Sequence, residues 1–419
     1  MFHTAGIKTS LIDAVYDKAN FRSEFRFDVD KVYISNARLL GVGVVKVGGA
    51  GSSYNKLVGS YGVIKQISLM DGNETLSNMV DFNRYIAFKS FVKKNDENNS
   101  IKKFLQKNNI GVVFNDTATN TRIEGLEDTT PIQTTELATG KGWLSLRECI
   151  PFLSASQYVP TNVFRNLRLV IEYDTQASAF ASNATLQYST LEPLLVCDMM
   201  VNSKVATQMM MEYNGLSWVD VETDRMVLPE VSPAPSVATP NPKQETSFLV
   251  NGFNGKSCNR MIMCNVPTAS LTYQDGDFYT SYSNMGSMNQ NQQSVQVQLN
   301  GSNLFTEPIN TANKRLASLV DNYGDATMPL GYGTYDGLTD LVEKPLEVLG
   351  NTDYTCFSLG GARVEELVIE YSRVGVYDAS LGGLQGQGRF NQRLTLQLFG
   401  EVQKRLVMNG KGQYVIAYA

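Results

Sequence analysis

Histidine is almost absent from this chain. The only copy among 419 residues is His3, at the N-terminal end, where order is least expected. Without a second imidazole, a Ser-His-Asp triad, a Cys-His dyad or a histidine-based metal centre has nothing anchored to build on. Charge is sparse too: Asp, Glu, Lys and Arg make up 18% of the residues against about 25% in ordinary soluble domains. With 36 basic and 41 acidic side chains the net charge is −5, so no strong field draws the chain onto nucleic acid or an anionic membrane, and no sequence-specific nucleic acid is expected as a partner. Nowhere do roughly 18 apolar residues follow one another to span a bilayer. The first twenty residues lack a basic segment followed by an apolar stretch and a small-residue cleavage site, so no cleaved secretory signal is expected. Five cysteines, Cys149, Cys197, Cys258, Cys264 and Cys356, are odd in number, have no CxxC spacing and sit mostly in apolar runs. They read as buried, reduced thiols.

What the chain has in quantity is β-strand pattern. Residues 31–47 are rich in β-branched side chains and end at a glycine run, Gly48 to Ser53. Val63–Leu69 ends at the turn pair Asp71-Gly72. In 164–174, Leu167, Leu169 and Ile171 share one face and Arg168, Val170 and Glu172 the other. Helical signals are few. Leu76, Met79, Val80 and Asn83 fall at i, i+3, i+4 and i+7, which predicts a helix over 75–91; a second is expected over 310–321, with Asn310 as its N-cap. Proline recurs through 228–244 and marks an extended connector or exposed loop. On either side lie enough strand candidates for an eight-stranded sandwich. The C-terminal residues, Arg393–Met408 and Gln413–Ala419 around Asn409-Gly410, read as a long strand, a turn and a closing strand.

Motifs that could carry chemistry fail on inspection. Gly255-Lys256-Ser257 has the end of a phosphate-binding loop, but the required glycine five positions earlier is Val250; a hairpin loop is expected instead. Gly140-Lys141-Gly142 lacks the magnesium-binding hydroxyl. Glu172 and Asp174, at i and i+2 of a strand, would stand about 7 Å apart on one face, a separation usable in glycoside hydrolysis, as would Glu222 and Asp224. A solvated strand end is the expected reading of each pair. The glycine cluster Gly382 to Gly388 reads as a turning loop. Asn73, Asn98, Asn115, Asn183 and Asn300 begin N-x-S/T triplets, treated as chance matches. Met209, Met210 and Met211 mark adaptable core or interface packing. Lys8, Lys18, Arg22 and Arg26 exceed Asp13, Asp17 and Glu24 by one charge, which fits a segment ordering against a neighbouring subunit at least as well as one touching nucleic acid.

Several segments in order resemble the double jelly-roll major capsid proteins of tailless double-stranded DNA viruses of the adenovirus lineage, nearest to those of polinton-like viruses and virophages. They are Gly59–Gly72 with Leu76 and Phe82–Tyr85; Trp143–Arg147, Ile150–Leu153, Val159-Pro160 and Leu167–Asp174; Leu191–Asp198; and Arg405–Tyr418. The resemblance implies an all-β fold of two tandem eight-stranded jelly-roll β-barrels with short helical insertions. The expected division is an N-terminal arm over 1–29, a first jelly roll over 30–227, a connector over 228–244 and a second jelly roll over 245–419.

It also implies a structural role. Three subunits would present six barrels, giving a pseudo-hexagonal capsomer that tiles an icosahedral virion shell. Expected partners are two further copies, neighbouring capsomers, penton and minor or cement proteins, with the arm against inner capsid components. Catalytic, cofactor and metal sites are expected to be none. Two alternatives stand beside this reading: a glycan-binding or glycoside-hydrolysing jelly-roll protein using Trp143 and Trp218, and a minor capsid or spike component.

Overall fold

The computed structural model describes residues 6–17, 21–43, 45–46, 52–53, 59–91, 113–114, 141–173, 186–187, 193–231, 243–267, 292–323, 355–374, 393–409 and 413–418. Their regular structure is mainly antiparallel strand. They divide into two units, the first drawn from Met1–Ser90, Asn98–Val221 and Gln403–Ala419, the second from Phe91–Glu97 and Glu222–Val402.

In the first unit the strand with the cleanest alternation takes the central place. Leu167–Tyr173 pairs with Arg22–Arg26 on one side and Ile64–Asp71 on the other, with Val15–Asp17 and Glu74–Val80 outside them. Its Leu167, Leu169 and Ile171 are buried, and Leu169 stands between Phe25 and Leu69, both fully buried. Burying a side chain of this kind stabilises the fold by about 1.5–3 kcal/mol. A second sheet runs in the order Lys141–Ser145, Arg38–Gly43, Leu194–Met200, Val32–Ile34 and Tyr158–Pro160, with Ile7–Asp13 also paired along Leu194–Met200. Two short helices, Leu146–Cys149 and Pro151–Ala155, follow Lys141–Ser145. A third, Ser203–Glu212, is capped by Asn202, whose side chain accepts from the backbone of Lys204 and Val205. It buries Met209 against Val32 and Met200 and leaves Met211 exposed, the packing use expected of the methionine run.

Three expectations change in this unit. Residues 7–26, read as part of an arm, are strands: Ile7–Asp13 pairs over its whole length with Leu194–Met200, and burial of Phe25 draws in Arg22–Arg26. The helix predicted over 75–91 begins only at Phe82. Glu74–Val80 is instead a strand hairpinned on Ile64–Asp71 through Gly72, at φ 59°, because Leu76, Met79 and Val80 fit a bulged strand as well as a helix. Finally, the closing residues, read as the end of the second barrel, pack in the first unit. Tyr414–Tyr418 pairs with Lys404–Met408, Tyr414 donates its hydroxyl to Asp71 Oδ2 at 2.7 Å, and its ring lies 5.3 Å from that of Phe164.

A buried ion pair completes this unit. Lys404 Nζ lies 2.7 Å from Asp220 Oδ2, with the side chains 5% and 0% exposed, and Ser77 donates to Asp220 Oδ1 at 2.5 Å.

The second unit has a four-stranded sheet in the order Lys243–Leu249, Leu367–Val374, Gln292–Leu299 and Ser302–Asn303. The other sheet orders Gly215–Leu228, Leu394–Met408, Ser257–Pro267 and Thr355–Arg363, and the first two of these strands run on into the first unit at Val221 and Gln403. Val295, Val297 and Ile369 of the first and Met261, Phe357, Leu396 and Leu398 of the second are buried. Asn265 Nδ2 donates to Tyr371 Oη across the two sheets at 2.8 Å. Gly400 is required by a close approach: a Cβ there would stand 2.3 Å from the ring of Phe253. The expected second helix spans Ala312–Tyr323, and Thr311, one residue beyond the expected Asn310, accepts from Lys314 N. That helix is tied down at its end, where Arg260 bridges to Glu401 at 2.9 Å and stacks 4.7 Å over the ring of Tyr323. Of the proline-rich segment 228–244, residues 232–242 lie outside the described residues.

Replacing Lys404 alone leaves Asp220 charged and buried. Lys404→Met is expected to cost about 3–5 kcal/mol, and the double variant Asp220→Asn with Lys404→Met to recover most of it. Denaturant unfolding followed on both variants checks this; equal losses would show that the pair's charge is not what matters.

Candidate functional site

Each sequence motif meets a structural use. Gly255-Lys256-Ser257 joins strands that belong to different sheets, not a hairpin as expected. Gly255, at φ 78°, donates its amide to Val364 O, and Lys256 Nζ lies 2.5 Å from Glu222 Oε2 and 2.6 Å from Gly252 O. The lysine that a phosphate would need is therefore engaged. Asp224 accepts from Gly252 N at 2.9 Å through Oδ2, so Glu222 and Asp224 hold a loop together. Glu172 lies on the partly exposed face of Leu167–Tyr173, while Asp174 is outside the described residues.

The tryptophans are in opposite environments. Trp143 is 47% exposed on Lys141–Ser145, whereas Trp218 is buried edge-on against Phe152 at 5.1 Å. Asn300, at φ 50°, turns the hairpin into Ser302–Asn303 and accepts from the amides of Glu365 and Glu366. His3 and the glycine cluster 382–388 fall outside the described residues.

All five cysteines are buried. Burial pushes the thiols of Cys197 and Cys258 up to about 12, and that of Cys356 well above the ordinary range. Such thiols stay protonated and unreactive near neutrality. Among the described residues no group of three or more His, Cys, Asp and Glu side chains could hold a metal ion, and no helix is long and apolar enough to cross a membrane.

One concave feature was not legible in the sequence. On the second unit's four-stranded sheet lies a cleft of about 350 Å³ lined by Glu245, Ser247, Ser294, Gln296, Glu370 and Ser372, with Pro308 beside them. Two rows of side chains cross three strands: Glu245, Ser372 and Ser294 are register partners, as are Ser247, Glu370 and Gln296. The signal for it is polar alternation in three segments far apart in the chain, and nothing local says that they adjoin.

Neither a family model nor a curated protein matches the sequence. Structural comparison does find similar folds. The capsid protein Vp54 of PBCV-1, fitted into a reconstruction of the virophage Sputnik, aligns over 99% of this chain and 97% of its own, with a TM-score of 0.54 and 11% identity. The mavirus major capsid protein aligns over 98% and 90%, with a TM-score of 0.53 and 8% identity. The Faustovirus major capsid protein aligns over 96% and 90%, with a TM-score of 0.53 and 9% identity. The chain has the double jelly-roll fold. Ile7–Asp13, Arg22–Arg26 and Tyr414–Tyr418 are each paired into its sheets.

The thiols give a direct check. At pH 8, a thiol with a pKa of about 12 is thiolate in roughly one molecule in 10⁴, so a thiol reagent should label native protein very slowly and all five cysteines after denaturation. Tyr33 is likewise pushed by burial up to about 12 from an ordinary value of 10. These groups hold their protons more tightly folded than unfolded, so the stability they contribute is complete below about pH 9 and is lost as the pH rises toward 12. The expected slope reaches about 1.4 kcal/mol per pH unit for each group, measurable by denaturant midpoints across that range.

Proposed function

We propose that the protein is a structural major capsid subunit. Three copies associate, their six rolls form a pseudo-hexagonal capsomer, and capsomers tile an icosahedral virion shell. Neighbouring capsomers, penton proteins and minor or cement proteins are its further partners, and the virion is its location. It performs no catalytic step.

The observation that carries this reading is the near end-to-end fold likeness to major capsid proteins of mavirus and Faustovirus, which spans both rolls and leaves little of either chain unmatched. The chemistry of the chain supports it. Lys256, which looked available in the sequence, is tied to Glu222. With charged residues at 18% of the chain, fewer ions than usual need desolvation when copies pack together, and uncharged polar side chains can hydrogen-bond across such contacts at lower cost than ions. Exposed apolar side chains supply contact area: Val407 and Val415 are register partners on the closing hairpin, and Leu11 and Val15 lie on the outer strands of the first roll.

Analytical ultracentrifugation of the purified chain is expected to give three times the 46.3 kDa mass of one copy, and negative-stain electron microscopy threefold particles with a hexagonal outline. A stable monomer at micromolar concentration would overturn the trimer. Densitometry of particles separates the major from a minor component, since the proposal requires this chain to be the most abundant shell protein.

A further inference from the structure

We infer that the cleft on the second roll's four-stranded sheet is a carbohydrate-binding site, taking a mono- or disaccharide through its hydroxyl groups. The floor is a two-by-three array fixed by strand register: Glu245, Ser372 and Ser294 in one row, Ser247, Glu370 and Gln296 in the next. Neighbours stand about 4.8 Å apart across the sheet and about 6.8 Å apart along it. The open cleft's volume of about 350 Å³ lies at the lower end of the range for small-molecule sites, about 300–1,000 Å³.

Hydrogen-bond capacity decides the ligand class. Glu370 accepts from Gln298 Nε2 at 2.9 Å and Glu245 accepts from Lys243 Nζ at 2.5 Å. An ionised carboxylate offers about four acceptor positions, so most of both remain open. Ser294 and Ser372 bond to each other at 3.1 Å and keep spare lone pairs. Gln296 is locked, donating to Phe305 O and accepting from Val297 N, and so forms a fixed floor. The cleft is therefore rich in acceptors and calls for a ligand with many donors.

Among the described residues no Lys, Arg or His lines the cleft, which does not suit an anion. A calcium ion, which takes 6–8 oxygens, would meet two carboxylates among them, Glu245 and Glu370. A ligand carrying one point charge, such as a lysine side chain, would leave the serine row unused. A pyranose presents O–H donors around its whole edge and can use both rows, with Pro308 offering an apolar wall to its C–H face.

The site does not depend on the capsid reading, and its test uses a different measurement. Saturation-transfer NMR on the full chain, with methyl glycosides of glucose, galactose, mannose and N-acetylglucosamine, is expected to show transfer to at least one of them. Binding should weaken at least tenfold in Glu370→Gln and in Ser372→Ala, and stay unchanged in Arg26→Gln on the first roll. Circular dichroism melting confirms that each variant is folded. Binding should persist in about 1 M NaCl, where charge attraction is screened beyond about 3 Å. No transfer from any glycoside to the folded chain, or transfer unaltered by both variants, would overturn the inference. So would binding that vanishes in high salt and is displaced by a lysine-rich peptide, since that would make the cleft a docking site for basic segments.

Discussion

A lysine and an aspartate hidden from water must find each other, and in this chain that requirement fixes the register of the long strand Leu394–Met408. From Leu394 to Val402 it is buried at every position but Thr395, with apolar side chains on both faces. Such a strand carries little alternation to say which face is which, and a slip of one residue would exchange all its partners. Two charges remove the ambiguity. Lys404 meets Asp220 in the first roll, and Glu401 meets Arg260 in the second. Displacing either by one position would leave a charge in an apolar setting, at a cost of several kcal/mol. Much of the rest follows from the register so set: Gly400 faces the ring of Phe253, and Val407 stands opposite Val415.

What could be read from the sequence was what depends on short range. The alternation of Leu167, Leu169 and Ile171 placed a strand correctly because its period is a local property, and Ala312–Tyr323 was legible for the same reason. Glu74–Val80 was not, because three apolar residues in seven satisfy both the helical and the bulged-strand spacing; the deciding contact is pairing with Ile64–Asp71. Ile7–Asp13 has a partner nearly two hundred residues away in Leu194–Met200, and its mixture of polar and apolar residues does not announce a paired strand. The cleft was least legible of all, since Glu245, Ser294 and Glu370 become neighbours only through register.

Motifs that suggest chemistry were misleading in one direction. Lys256 resembles a phosphate-binding lysine until its carboxylate partner is seen; Asp224 resembles half of an acid pair until it is seen capping a loop. Both cases have the same cause. A chain with few charges still needs some to organise irregular backbone, as Lys256 and Asp224 do around Gly252.

The contrast between the comparisons has a physical basis. Identity of 8–11% to proteins that align over nearly the whole chain lies beyond what sequence matching detects. A jelly roll asks for alternation, turns and filled volume, all of which many side-chain combinations supply. A catalytic site fixes particular atoms and so leaves short, invariant words in a sequence. This chain shows no such word among its described residues, and the register of its strands, more than any motif, determines which side chains meet.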